Sequence, residues 1–318
     1  MKKTICFVFF VFLCVWAVFG RKLAPLPLSA ADLNFWIVLF AASVLLFMFV
    51  GLGVEKIKRY FVLLCNQSFL TVFGFFSFLS GMAGLCEFLL RPNFSLLNFL
   101  GVYGTIISLA ALYHFWRPLK KTVGWQDVLT IGVIGLAYGS GLPMLKGAYG
   151  YLTLVSLLLI NVCMRQLQGF GYTFNLNKRD LKIVVLYYLG FAAVGIPLGY
   201  FSGYIHFEFI LPSPSFVLMS AIRIFLSPAL VEEIIFRGLF QNYLTQKFNF
   251  KHGRLLALVS ASVLFGVLHS GDPRYLILAG VAGLFYGGAY IHTGKIVPAA
   301  LVHTLVDLRH LYGIGVIG

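Results

Sequence analysis

The chain has 318 residues, 60% of them hydrophobic and 11% charged, with a formal net charge of +14. With a mean hydropathy of +0.93, it cannot be an ordinary soluble globular protein, and lipid must solvate most of its surface. The Lys and Arg residues sit in short clusters between apolar runs rather than on an aromatic-interleaved face, which argues against nucleic acid as a partner and reads as a topology signal.

Apolar runs lie near 4–20, 35–54, 61–90, 94–116, 128–147, 148–164, 181–201, 216–236, 255–269, 275–292 and 296–308. In hydrocarbon every backbone N–H and C=O must be paired inside the protein, so each run is predicted to be helical. At roughly 20 residues per crossing, the pattern predicts an all-α polytopic membrane helix bundle of about eleven transmembrane helices, with about nine and about twelve as its limits. The spread arises where Asn66, Gln67 and Glu87 interrupt one run and where Lys146 and nearby glycines divide two others.

The first run follows Lys2 and Lys3 and precedes Arg21 and Lys22 with no small-x-small cleavage site, which predicts an uncleaved anchor. Cys6, Cys14, Cys65, Cys86 and Cys163 fall in or beside apolar runs without CxxC spacing and are expected to be packing or lipid-facing thiols. Positive charge clusters at Lys56/Lys58/Arg59, Arg117/Lys120/Lys121, Arg165/Lys178/Arg179 and Lys247/Lys251/Arg254, whereas 202–215 holds no Lys or Arg. Cytoplasmic loops carry the excess of positive charge, so a multi-pass cell membrane protein with a cytoplasmic N-terminus is expected.

Up to about residue 180 the runs are nearly featureless, while those from 216 onward carry Arg223, Glu232, Glu233, Arg237, His269, His303 and Asp307. The chain is therefore divided into N-terminal helices of unassigned role, 1–180, and a chemistry-bearing region, 181–318. Arg223 can pair with a carboxylate, contact a lipid phosphate or assist substrate, and a structural pairing is the expectation.

Glu232 and Glu233 stand side by side in an apolar helix, where an ionised carboxylate costs on the order of 2.5–3.5 kcal/mol on insertion scales. Glu233 and Arg237 are i,i+4 and share a face, so they can pair, while Glu232 points about 100° away and is free to face a cavity. Phe265 and His269 again share a face one turn apart, as do His303 and Asp307. Each pair also has a structural reading: helix packing for the carboxylates, and a polar exit from the membrane for the last pair. Counted along helices, Glu232 and His269 lie at matching depth, whereas His303, eight residues past Lys295, matches less well.

A carboxylate and a histidine converging on one water form a general base able to activate it toward an amide carbonyl, and a second histidine can donate to the developing oxyanion. No HExxH, Gly-x-Ser-x-Gly or Ser/Lys arrangement offers another hydrolytic route.

Glu232-Glu233-x-x-x-Arg237, Phe265-x-x-x-His269 and His303-x-x-x-Asp307, in this order on successive apolar helices, resemble the CPBP family of CAAX prenyl endopeptidases and bacteriocin-processing and self-immunity relatives. The resemblance covers about residues 181–310, including the Gly283-x-Phe285-x-Gly287 helix and the turn at His292, Thr293 and Gly294. It implies an intramembrane endopeptidase acting on a membrane-associated, prenylated or leader-type peptide, with lipid and a peptide or protein substrate as its partners. It further implies that Glu232 and His269 position the attacking water, that Glu233 and Arg237 support them, and that His303 with Asp307 holds the oxyanion. Asp307 stands where eukaryotic members often have Asn, and an ionised carboxylate cannot donate to an oxyanion. The family is described as both glutamic and metallo-type. Metal-free chemistry is favoured, with Glu232, His269 and His303 as the ligand set should a divalent ion such as zinc be used. Two rival readings remain: a non-catalytic membrane scaffold or bacteriocin self-immunity factor, and a transporter, for which no inverted repeat is visible.

Overall fold

The computed structural model describes residues 33–116, 121–144, 146–206, 212–312 and 315–316, so the anchor predicted at 4–20 lies outside the described residues. The chain divides into two units at Gln168/Gly169. Apart from one two-residue strand pair, the regular structure described is helical. Seven helices are long and apolar enough to cross a membrane, counted among the described residues.

The first unit contains α1 (Leu33–Gly51), α2 (Glu55–Cys65), α3 (Phe69–Leu90), α4 (Leu96–Phe115), α5 (Trp125–Gly139) and α6 (Gly147–Met164). The run expected at 61–90 is broken at Asn66–Ser68, because the Ser68 hydroxyl accepts from Thr71 N and starts α3 anew. The piece before it, α2, begins with Glu55 paired to Lys58 at 2.5 Å and is too short and too charged to cross alone. Helices α1, α3, α4 and α6 have spanning length, whereas α5 is shorter.

Arg165, counted with the loop cations from sequence, is instead buried and ion-paired with Asp127. Its Nη2 also donates to Thr122 O at 2.8 Å, and Asp127 Oδ2 accepts from Gly124 N at 2.7 Å. Burial of an unpaired charge would cost several kcal/mol, which is why the pair is buried together. Glu87 Oε1 similarly accepts from Ala148 N at 2.7 Å, placing a carboxylate at the start of α6. Cys65, Cys86 and Cys163 are buried thiols outside any disulfide, in line with packing; Cys6 and Cys14 lie outside the described residues.

The second unit contains α7 (Lys178–Phe201), α8 (Pro214–Lys247), α9 (Gly253–Leu268), α10 (Pro273–Thr293) and α11 (Ile296–Tyr312). Strand β1 (Ile205–His206) pairs antiparallel with β2 (Gly315–Val316). Asn177 and Asp180 form a reciprocal capping box at the start of α7, and Asp180 also takes Lys295 Nζ at 2.7 Å. Helix α8 widens into π turns at Phe225–Ala229 and Ile234–Gln241. Pro228, which has no N–H to donate, sits in the first of these.

Helix α10 is central, packed against α7, α9 and α11. It begins with Asp272 accepting from Arg274 N at 2.7 Å and ends at Gly294, whose φ of 66° is the left-handed cap that glycine adopts without penalty. Close packing of α9 on α10 needs Gly266, where a Cβ would stand 2.6 Å from Leu276 O.

Candidate active site

Between the two π turns of α8, Leu230–Glu233 is regular helix, and its two carboxylates diverge. Glu233 is fully buried, with Oε2 2.8 Å from Nε of the equally buried Arg237. The guanidinium lies 5.6 Å over the Phe265 ring and donates through Nη2 to Gly283 O at 3.2 Å. One turn on, Gln241 Nε2 donates to Gly287 O at 3.2 Å. Arg237 and Gln241 thus hook the carbonyls of two glycines that are themselves one turn apart on α10. The glycine-rich helix was legible in the sequence. Gln241 was missed, although its i,i+4 spacing from Arg237 was the available signal.

His303 on α11 turns Nδ1 to Glu233 Oε1 at 3.1 Å, and its ring stacks on Tyr286 with centroids 4.4 Å apart. A carboxylate engaged by Arg237 accepts rather than donates, so Nδ1 carries the hydrogen and Nε2 faces the cavity. His269 caps the C-terminal end of α9, with Nδ1 2.7 Å from Phe265 O and its ring tilted against Phe265. A carbonyl only accepts, which fixes the hydrogen on Nδ1 and leaves the Nε2 lone pair free in the neutral ring.

Glu232 points between the two imidazoles. Its Oε2 lies 3.9 Å from Nε2 of His269 and 3.9 Å from Nε2 of His303, outside hydrogen-bond range of either. Asp307 Oδ2 is 3.5 Å from His303 Nε2. All four side chains border one cavity of about 170 Å³, closed on its apolar side by Phe191, Ile205, Leu278, Ala279 and Val306. The side chains of Glu232, His269 and Asp307 are 28%, 22% and 32% exposed, whereas that of His303 is 5% exposed at the inner end.

All six residues singled out from sequence therefore meet, including His303, whose depth count had matched poorly. At the start of α11, Ile296 is fully buried and its N–H donates to Gly171 O at 3.0 Å. The Arg223 side chain is exposed, and no described carboxylate pairs with it. Among the described residues, no group of three His, Cys, Asp or Glu side chains has the spacing to hold a metal ion.

Residues 214–309 match the family model described as type II CAAX prenyl endopeptidase Rce1-like. This stretch runs from the first turn of α8 to the last turns of α11 and holds every candidate residue, so the CAAX-protease resemblance of the motifs stands on that segment. No curated protein and no solved structure matches the chain. The long apolar helices make this a multi-pass membrane protein, and its segment 214–309 is similar to the CAAX-type proteases.

Proposed function

We propose that the chain is an intramembrane endopeptidase in which Glu232 and His269 activate a water molecule against a peptide carbonyl. The observation that carries this reading is the position of Glu232 Oε2, 3.9 Å from each imidazole Nε2 within a shared cavity. That separation is too long for direct bonding and right for one bridging water. Oε2 makes no hydrogen bond among the described residues although it is buried, which supports a role that needs an external partner.

In this mechanism the water donates to Glu232 and to the Nε2 lone pair of His269. As its oxygen bonds to the carbonyl carbon, Glu232 takes the proton. The carbonyl oxygen becomes an oxyanion facing His303, which donates from Nε2 when it carries both ring hydrogens. The C–N bond then breaks, and the proton held by Glu232 passes to the leaving nitrogen. Glu233 and Arg237 position His303 and do not touch substrate. Asp307, 3.5 Å from the same Nε2, offsets the charge of His303 carrying both ring hydrogens and leaves that N–H to the oxyanion.

The substrate class is a membrane-associated peptide of leader type, and the basic loops and N-terminus face the cytoplasm. The deciding experiment is cleavage of a quenched peptide library by the purified protein, with Glu232→Gln and His269→Ala compared at matched folded yield, with and without chelator. Loss of cleavage in both variants supports the reading, and cleavage surviving both removes this site from the activity. One observation favours a second reading, a non-catalytic scaffold or self-immunity factor: the fully buried Glu233–Arg237–Gly283 link ties α8 to α10 whether or not chemistry occurs. Under that reading Glu232→Gln leaves function intact.

A further inference from the structure

The helices of the second unit alternate in direction, and contacts between them sort their ends into two groups. Lys295 Nζ bonds Asn175 O at 2.8 Å and Asp180 at 2.7 Å, so the α10–α11 turn lies beside the start of α7. The Gln241–Gly287 bond places the last turns of α8 beside the last turns of α10. At the opposite end, Arg274 Nη1 donates to Gly203 O at 3.1 Å and Tyr275 stacks on Tyr204 at 5.5 Å, joining the α9–α10 turn to the end of α7.

Charge separates between these ends. The first gathers Lys178, Arg179, Lys182, Lys247, Lys251, Arg254 and Lys295, with Asp180 already taken by Lys295. At the second, 202–215 holds no Lys or Arg, Arg274 is paired with Asp272 at 2.7 Å, and Arg309 follows near the end of α11. Arg223 lies within α8 itself.

The cavity belongs to the second end. Its inner wall is His303 and Tyr286, both buried, and its outer wall is Ile205, His269 and Tyr275, all at the poorly charged end.

We infer that the cavity opens to the extracytoplasmic side of the membrane, so that its substrate is a peptide bond presented from that side, in an exported or membrane-spanning segment. The positive-inside rule assigns the Lys- and Arg-rich end to the cytoplasm, and the cavity faces away from it. A peptide whose cleavage point stays in the cytoplasm does not reach this site. The orientation stands on charge and geometry alone; the substrate class rests also on the proposed peptidase reading.

The test uses the full-length protein with Gly271→Cys, on the α9–α10 turn where a Cβ meets nothing within 4 Å, or Lys251→Cys, exposed on the α8–α9 turn. Both are probed with a membrane-impermeant maleimide and compared with the unsubstituted protein. Gly271→Cys is expected to label in intact cells to the extent reached after permeabilisation, and Lys251→Cys only after permeabilisation. The reverse pattern, or equal labelling of both in intact cells, overturns the orientation whatever the activity. In proteoliposomes sorted by the same labels, an impermeant quenched peptide added outside should be cut in proportion to the population that exposes the α9–α10 turn. Cleavage that follows the population exposing the α8–α9 turn overturns the substrate class. No cleavage from either face, with labelling as expected, overturns the peptidase reading and leaves the orientation standing.

Discussion

Glu233 Oε1 lies 3.1 Å from His303 Nδ1, so the carboxylate that Arg237 holds inside α8 also aims the imidazole of α11. One buried charge thereby couples the helix-packing network to the cavity. Removing either partner leaves the other charged in a dry interior, which is why the two roles separate by residue rather than by region.

Arg237→Ala strips Glu233 of its counter-ion and should destabilise by about 3–5 kcal/mol, whereas Glu232→Gln, at the cavity edge, should leave folding nearly unchanged. Thermal unfolding and monodispersity in detergent measure the contrast. Equal loss of folded protein in both variants would contradict the division of labour between the two carboxylates.

Glu232→Gln and His269→Ala should each lower kcat by about 10²-fold or more with little change in KM, since a general base acts in the transition state. Peptide cleavage under saturating and limiting substrate separates the two constants. The rate should also persist in chelator, because the mechanism draws only on side chains.

Gly266→Ala places a methyl 2.6 Å from the Leu276 carbonyl, forcing α9 away from α10. A cost of about 1–3 kcal/mol is expected from such overpacking. Because His269 follows three residues later, activity at matched folded yield should fall as well. An unaltered unfolding temperature would show that the two helices do not meet at this glycine.

Arg274 beside Asp272 holds its carboxyl down at about 2, against an ordinary value of 3.8. A depressed folded value means that the stabilisation is present above the unfolded value and fades as pH falls toward the folded one. The unfolding-temperature gap between wild type and Asp272→Asn should therefore stay constant from about pH 8 down to about pH 5 and close only in stronger acid. A gap that changes near neutrality would show that another group governs this turn.

Much of the site was legible before any fold was known. A carboxylate in hydrocarbon needs a reason, and i,i+4 spacing assigns partners within one helix, so Glu233–Arg237 and the divergence of Glu232 follow from residues alone. The chemistry-bearing region was likewise visible as a change from featureless apolar runs to runs carrying Glu, His and Arg. Crossing lengths were less legible: composition does not reveal that Ser68 restarts a helix or that Arg165 folds inward onto Asp127.

The sequence by itself determined that lipid is the solvent, that the regular elements are helices, and which polar residues lie together on each helix, because hydropathy and helical period act over a few turns. Only the tertiary structure decided that His303 reaches Glu233, that Gln241 joins Arg237 on the carbonyls of α10, and that Arg223 stands exposed without a described carboxylate partner. Those contacts depend on where α11 begins and how closely α10 lets its neighbours approach. Both are set by packing between segments tens of residues apart, which no local pattern encodes.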